Sequence, residues 1–223
     1  MINYLRTLFG KNTEYTGQAT DNINVIWIHG ANQTSLSFQY LRQQTDFPKE
    51  IFVNYSSMNR FNDNLDQIVE EVKGRGPHFV IGHSLGGLYA LHLTQYIRVL
   101  GGVSISTPFA GSSTADWAKY IVPNYPLFRD IGRKADPIRA AQDITLTVPW
   151  TQIVSTTGQV PYHGGPNDGV VTIESMKSRS DMEHVEVPHT HYETMCSDFV
   201  ADLLIEKYQD ANIQYQQKQK TKI

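Results

Sequence analysis

A chain of 223 residues, 40% hydrophobic and 18% charged, can bury a core of its own, and its length fits one α/β domain better than two small ones. Such a composition excludes a disordered, collagen-like or coiled-coil main state. Lysine plus arginine (19) against aspartate plus glutamate (22) leave a net charge of −3, which gives no electrostatic footprint for nucleic acid or an anionic membrane.

In chain order, residues 1–23 read as a lead-in, in which Asn3, Arg6 and Lys11 interrupt the start before any apolar signal region forms. No apolar run reaches the ~18 residues that a transmembrane segment requires, so the expectation is a soluble, cytoplasmic protein. Short β-branched runs then recur at Val25 to Ile28, Ile51 to Val53, His78 to Ile81, Val103 to Ile105, Gln152 to Val154 and Val185 to Val187. Their near-continuous apolar character is that of strands covered on both faces, and a helix between successive strands makes the pairing parallel. Leu65, Ile68, Val69 and Val72 fall on one helical face, opening near Asn62 and stopping at Gly74. The helix after Ser84 is apolar nearly all round and belongs against the middle of the sheet. Residues 108–148, with their prolines and aromatics, suit an inserted helical cap. Met195, Phe199, Val200 and Leu203 predict a last amphipathic helix, and the Gln- and Lys-rich tail from Tyr208 a frayed segment or a solvated helix end. The domain therefore covers 24–207, with 208–223 as a polar tail. The lone cysteine, Cys196, excludes an internal disulfide.

The strongest chemical signal is Gly82-His83-Ser84-Leu85-Gly86-Gly87, a G-x-S-x-G pattern directly after a predicted strand and before a predicted helix. A turn this sharp lifts the serine hydroxyl above the sheet and needs glycine where backbones approach closely. The bare pattern also fits a glycine-rich turn that packs or cradles a phosphate; the strand-to-helix context favours Ser84 as a nucleophile. Such a hydroxyl needs a base, and the base an orienting acid. Asp168, in a loop past the strand that ends near Val154, is the candidate acid, although an Asn-Asp-Gly sequence serves equally as a local turn. Asp136, Asp143 and Asp181 are weaker rivals because none lies just past a predicted strand end. His189 and His191 lie between the last strand and the last helix, and His191 is preferred for its place next to that helix. His83 shapes the turn, while His78, His92, His163 and His184 read as core, edge or surface residues.

The His29-Gly30-Ala31 turn after the first strand leaves room to aim backbone N–H groups into the site. The Ala31 and Leu85 N–H groups are therefore the candidate oxyanion donors. A metal site built from His189, His191, His163 and Asp168 lacks patterned ligand clusters, so neither a metal nor any other cofactor is expected. Trp117 and Phe128 in the cap are candidate walls of an acyl pocket over Ser84, sized for small soluble esters rather than emulsified triglycerides.

These segments, together with Thr107-Pro108-Phe109-Ala110-Gly111-Ser112 and Ala115-Asp116, make the chain resemble the α/β-hydrolase superfamily, and within it lipase-like serine esterases. The stretch from Thr107 to Asp116 is similar to a T-P-H-x-G-S-x-x-A-D stretch of bacterial lipases, with Phe109 where those often carry His. The resemblance implies an α/β-hydrolase fold with a mostly parallel sheet of about six strands and a small cap. It implies a Ser84, Asp168 and His191 triad, an oxyanion hole at Ala31 and Leu85, and a small-molecule ester as substrate. Thioesters, amides and acyl transfer would use the same triad, and a non-catalytic hydrolase-fold binding protein is the alternative from outside enzymology. The structural calcium of some lipases finds no matching ligand set here.

Overall fold

A computed structural model describes residues 23–112, 115, 126–159 and 165–221. Six strands, β1 (Asn24–Ile28), β2 (Glu50–Val53), β3 (His78–His83), β4 (Val99–Ile105), β5 (Trp150–Ser155) and β6 (Glu183–Val187), form one sheet in the order β2-β1-β3-β4-β5-β6. Every pairing is parallel. Each apolar run expected to be a strand is one. The chain leaves β1 for β2 on one side and returns to β3 on the other, so the loops after β1 and β3 diverge at their carboxyl ends. In open α/β sheets that divergence is where ligand crevices form.

Alternation along the strands divides the core in two. Ile26, Ile28, Val53 and Val80 face a cluster with α2 (Phe61–Val72) and α3 (Leu85–Leu93). Val25, Trp27, Phe79, Ile81, Val103 and Ile153 face a second cluster with α1 (Gln39–Thr45) and the last helix. The predicted apolar stripe of α2 is buried, and α3 is buried throughout, as its all-round apolar sequence requires.

In the described part of the 108–148 region, α4 (Pro126–Asp130) and α5 (Asp136–Asp143) are helical as expected. They are also firmly attached. Leu127, Ile138, Ala141 and Ile144 join the α2–α3 cluster, and the buried Asp130 receives the Phe61 N–H at 2.8 Å and the Arg60 guanidinium at 2.8 Å. A short α6 (Ile173–Met176) follows β5.

The last helix corrects two expectations. It runs Asp198–Lys220 as α7, capped by Ser197, so Met195 falls in a separate 3-10 turn (Glu193–Cys196) and Phe199 is exposed. The tail from Tyr208 is the second half of α7. Val200, Leu204, Tyr208 and Ala211 extend one buried stripe, and the Tyr208 ring packs 4.7 Å from Phe47 and 5.9 Å from Phe79. Gln and Lys residues between these positions mask the stripe in the composition. Among the described residues no helix is long and apolar enough to cross a membrane.

Candidate active site

Ser84 stands between β3 and α3 with φ 53° and ψ −121°, a left-handed backbone that a residue bearing Cβ adopts only when its surroundings impose it. The imposing contacts are glycine contacts. A Cβ on Gly86 would run into the carbonyl oxygens of Ile28 and His29, and one on Gly82 into the backbone of Gly86 and Gly87. The start of α3, directly after Ser84, is thus pressed against the end of β1. His83 before it and Leu85 after it are buried, while Ser84 itself is half-buried.

Asp168 and His191 meet in the loops after β5 and β6. His191 Nδ1 lies 2.7 Å from Asp168 Oδ2, with both side chains buried, and the His191 N–H also donates to the Asp168 carbonyl at 3.0 Å. A carboxylate only accepts, so Nδ1 carries the proton and Nε2 is left with its lone pair. Ser155 at the end of β5 donates to the same Oδ2 at 2.5 Å, while Oδ1 accepts the Val170 and Val171 N–H groups at 2.9 and 2.7 Å. Burial pushes the Asp168 carboxyl up. The His191 hydrogen bond and charge, with Ser155 and the Val171 N–H, outweigh it and hold the group below the usual carboxylate range. Oδ1 thus makes the contacts of a local turn, while Oδ2 faces His191 and Ser155.

The link between the serine turn and this pair is His83. Its Nε2 lies 3.1 Å from the His191 carbonyl oxygen, its Nδ1 lies 3.2 Å from Gln33 Oε1, and its ring is 4.8 Å from that of His191. Burial, reinforced by the neighbouring His191, lowers its pKa to about 3, so His83 is neutral. Nε2 donates, because a carbonyl can only accept. On the β1 side, His29 stacks on Tyr55 at 4.3 Å, its Nδ1 lies 2.8 Å from the Gly30 carbonyl oxygen, and the Tyr55 hydroxyl donates to the His29 carbonyl at 2.9 Å. Burial lowers the pKa of His29 as well. This fixes the loop carrying Gly30 and Ala31 beside Ser84; a Cβ on Gly30 would stand 3.2 Å from that of Ser84. Among the described residues, neither the Ala31 nor the Leu85 N–H is spent on an acceptor.

Residues 25–168 match the family model of the alpha/beta hydrolase family. The chain belongs to the alpha/beta hydrolase family. Among solved structures, the mature form of a Bacillus licheniformis lipase is similar, with TM-score 0.70 and 15% identity over 89% of this chain and 96% of that one. A lipase-esterase related protein from Clostridium acetobutylicum is similar with TM-score 0.62 and 14% identity over 86% and 96%. An alpha/beta superfamily hydrolase from Oenococcus oeni gives TM-score 0.56 and 14% identity over 84% and 93%. No curated protein is a detectable sequence relative. At these identities the likeness is one of fold.

In this alpha/beta hydrolase the sequence-derived candidates are only partly joined. Asp168 and His191 are hydrogen-bonded directly; Ser84 reaches them through His83, and its hydroxyl makes no hydrogen bond to His191. His189 Nε2 instead lies 3.0 Å from Ser197 Oγ, the α7 cap, so the two histidines have separate partners. Asp181, one of the rival acids, serves Arg179 at 2.6 Å and Asp136 serves Arg139 at 2.9 Å. Phe109 is a core residue. Phe128 is half-buried on α4, whereas Trp117 and His163 lie outside the described residues. Sequence reasoning missed Ser155, Ser106 and Gln33, single polar residues at or just past strand ends, where position is the one available signal.

Proposed function

We propose that the chain is a serine hydrolase that cleaves carboxylic esters through an acyl-enzyme. The observation that carries this reading is the half-buried Ser84, with its left-handed backbone, one residue from the His83 bond to the carbonyl of His191. His191 Nε2 accepts the Ser84 proton as Oγ attacks the ester carbonyl carbon. Asp168 keeps the imidazole in this tautomer and balances the imidazolium that forms. The carbonyl oxygen becomes an oxyanion, and the Ala31 and Leu85 N–H groups stabilise it. His191 then protonates the departing alcohol, the acyl group stays on Ser84, and a water activated by His191 releases the acid. Trp117 and Phe128 are assigned to the acyl-binding wall, with small soluble esters as the preferred substrates. The reading includes no cofactor or metal and no nucleic-acid partner, and it places the enzyme in the cytoplasm, in keeping with the unpaired Cys196.

The test is labelling with a fluorophosphonate, followed by mapping of the modified residue. Stoichiometric modification at Ser84, absent from Ser84→Ala, supports the nucleophile; modification elsewhere, or none, overturns it. A panel of acyl esters, thioesters and amides on one preparation then fixes the reaction, and turnover only of thioesters or amides, or only with an acyl acceptor, replaces ester hydrolysis by that chemistry. Prolonged chelation is expected to leave activity unchanged. Loss restored by zinc or calcium rejects the metal-free part of the proposal.

A further inference from the structure

Behind the Asp168–His191 pair lies a hydroxyl chain that the reaction above does not use. Ser155 Oγ is 2.5 Å from Asp168 Oδ2, and Ser106 Oγ is 2.7 Å from Ser155 Oγ, with both serines fully buried. We propose that Ser155, backed by Ser106, is a positioning residue that sets how tightly Asp168 holds His191 in its protonated form. The inference rests on the serine-hydrolase reading for its effect on catalysis.

Proton counting gives the chain a direction. Ionised Asp168 has no proton to give, so the single Ser155 proton points at Oδ2, and the proton between the two serines comes from Ser106. Met176 Sδ, 3.7 Å from Ser155 Oγ, is a much weaker acceptor than the carboxylate. A chain of donors ending on an anion polarises along its length and strengthens each bond. Ser106 holds its place with φ 52°, a second left-handed non-glycine residue at a strand end of this sheet, and its N–H is anchored to the Ile153 carbonyl at 2.9 Å. A serine held in that conformation with its hydroxyl aimed at the partner of a buried carboxylate is more than core filling.

The consequence is a definite sign. Each donor to Oδ2 spreads the carboxylate charge and weakens its pull on the imidazolium. Without Ser155 the imidazolium of His191 is held more strongly, so a higher pH is needed to free the base. The titratable groups on this side are His83 from β3 and, beyond it, His29 just past β1, both disfavoured as cations by burial. Tyr192 sets its ring edge on to His191. Further out, Glu193 is bonded to the Thr190 N–H and His189 lies against Ser197. All of these stay in place in the variants, so the difference between variants isolates the hydroxyl chain.

The experiment is the pH profile of kcat/KM with a soluble activated ester for wild type, Ser155→Ala, Ser106→Ala and the double variant. The downfield proton resonance of His191 Nδ1–H is followed in parallel, since it reports on the pair without any substrate. Ser155→Ala is expected to move the acid limb upward, so that at a pH on the limb its activity relative to its own plateau falls about 3- to 10-fold, the effect of half to one unit. Ser106→Ala shifts the limb in the same direction by less, and the double variant by no more than Ser155→Ala, because Ser106 acts only through Ser155. An acid limb that coincides with wild type in folded Ser155→Ala, or additive shifts in the double variant, overturns the proposal. Should Ser155→Ala not fold, Ser106→Ala carries the test, and an unmoved limb there overturns it as well. If Ser84 resists the fluorophosphonate, the hydrolase reading has failed by itself. The hydroxyl chain then stands or falls on whether the His191 proton resonance titrates at higher pH in the variants.

Discussion

The two halves of the site are fixed by opposite means. On the proposed acid–base side, the Asp168 carboxylate accepts four donors, from Ser155, His191, Val170 and Val171, and every one of them responds to charge. On the proposed nucleophile side, the Ser84 hydroxyl is bonded to none of the site's polar side chains, and the turn is determined by backbones that meet where Gly82 and Gly86 leave room. Electrostatics tunes one half and steric contact the other. The first half should answer to pH and to lost donors, the second to a single added carbon.

The sharpest test of that contrast is Ser84→Ala. On the proposed reading it costs roughly 10⁴- to 10⁶-fold in kcat, because the nucleophile is gone and only oxyanion stabilisation and binding remain. Its melting temperature should stay at the wild-type value, since nothing in the turn depends on the hydroxyl. A folded Ser84→Ala protein with undiminished turnover ends the assignment. His191→Ala is expected to cost a similar roughly 10⁴- to 10⁶-fold, since base and nucleophile act as a unit. His189→Ala, by contrast, should lose less than about tenfold in kcat and roughly 1 kcal/mol of stability through the α7 cap at Ser197. If kcat falls in the reverse order, the base is His189 and the acid–base half has been misassigned.

Gly86→Ala probes the steric half from the other side. Its methyl group meets two carbonyl oxygens of the β1 end that cannot give way independently, and a stability loss of about 3 kcal/mol or more is expected in urea unfolding. Activity then falls with the folded fraction. A neutral Gly86→Ala would show that the turn is looser than the glycine contacts require.

Much of this contrast was legible before any coordinates. The G-x-S-x-G turn is visible because close backbone approach restricts residue type, and restricted residue types leave a pattern. The inner strands are visible because burial on both faces demands near-continuous apolar runs, whereas the part-exposed edge strands β2 and β6 show only as short β-branched runs. Ser155 and Ser106 left no such trace, since a serine at a strand end is common and its role depends on what lies across the sheet. Tyr208 and Ala211 were missed for a related reason: a buried stripe diluted by Gln and Lys looks solvated unless its period is followed to the end. Asp168 shows both cases, with an Asn-Asp-Gly turn that predicts its Oδ1 contacts and nothing local that predicts Ser155 on Oδ2.

A smaller effect comes from the depressed titration of Asp168. A carboxyl held below its ordinary range by folding contributes stability that is fully present above its unfolded pKa of about 3.9 and is lost as pH falls through the lower folded value. The stability advantage of wild type over Asp168→Asn should therefore shrink as pH falls below about 4. Denaturant titrations across that range measure it. An advantage that grows toward acid would mean that burial, rather than the donors, controls the carboxyl.

The smallest expected effect concerns α4, where two adjacent residues separate packing from binding. Leu127 is buried in the cluster that includes Leu85 and Tyr89, so Leu127→Ala should cost about 2–3 kcal/mol with the ratio of kcat/KM between acetyl and octanoyl esters unchanged. Phe128, next to it, is only half-buried. If it lines the acyl pocket, Phe128→Ala loses less stability than Leu127→Ala and alters that ratio by about 3- to 10-fold, because a hydrophobic wall discriminates chain length by its contact with each methylene. A loss of roughly 3–5 kcal/mol with the chain-length profile untouched would make Phe128 a packing residue. The same assay on Trp117→Ala shows whether the acyl wall extends along the cap. A ratio unmoved in both variants removes the cap from substrate recognition, while the chemistry proposed at Ser84 stands.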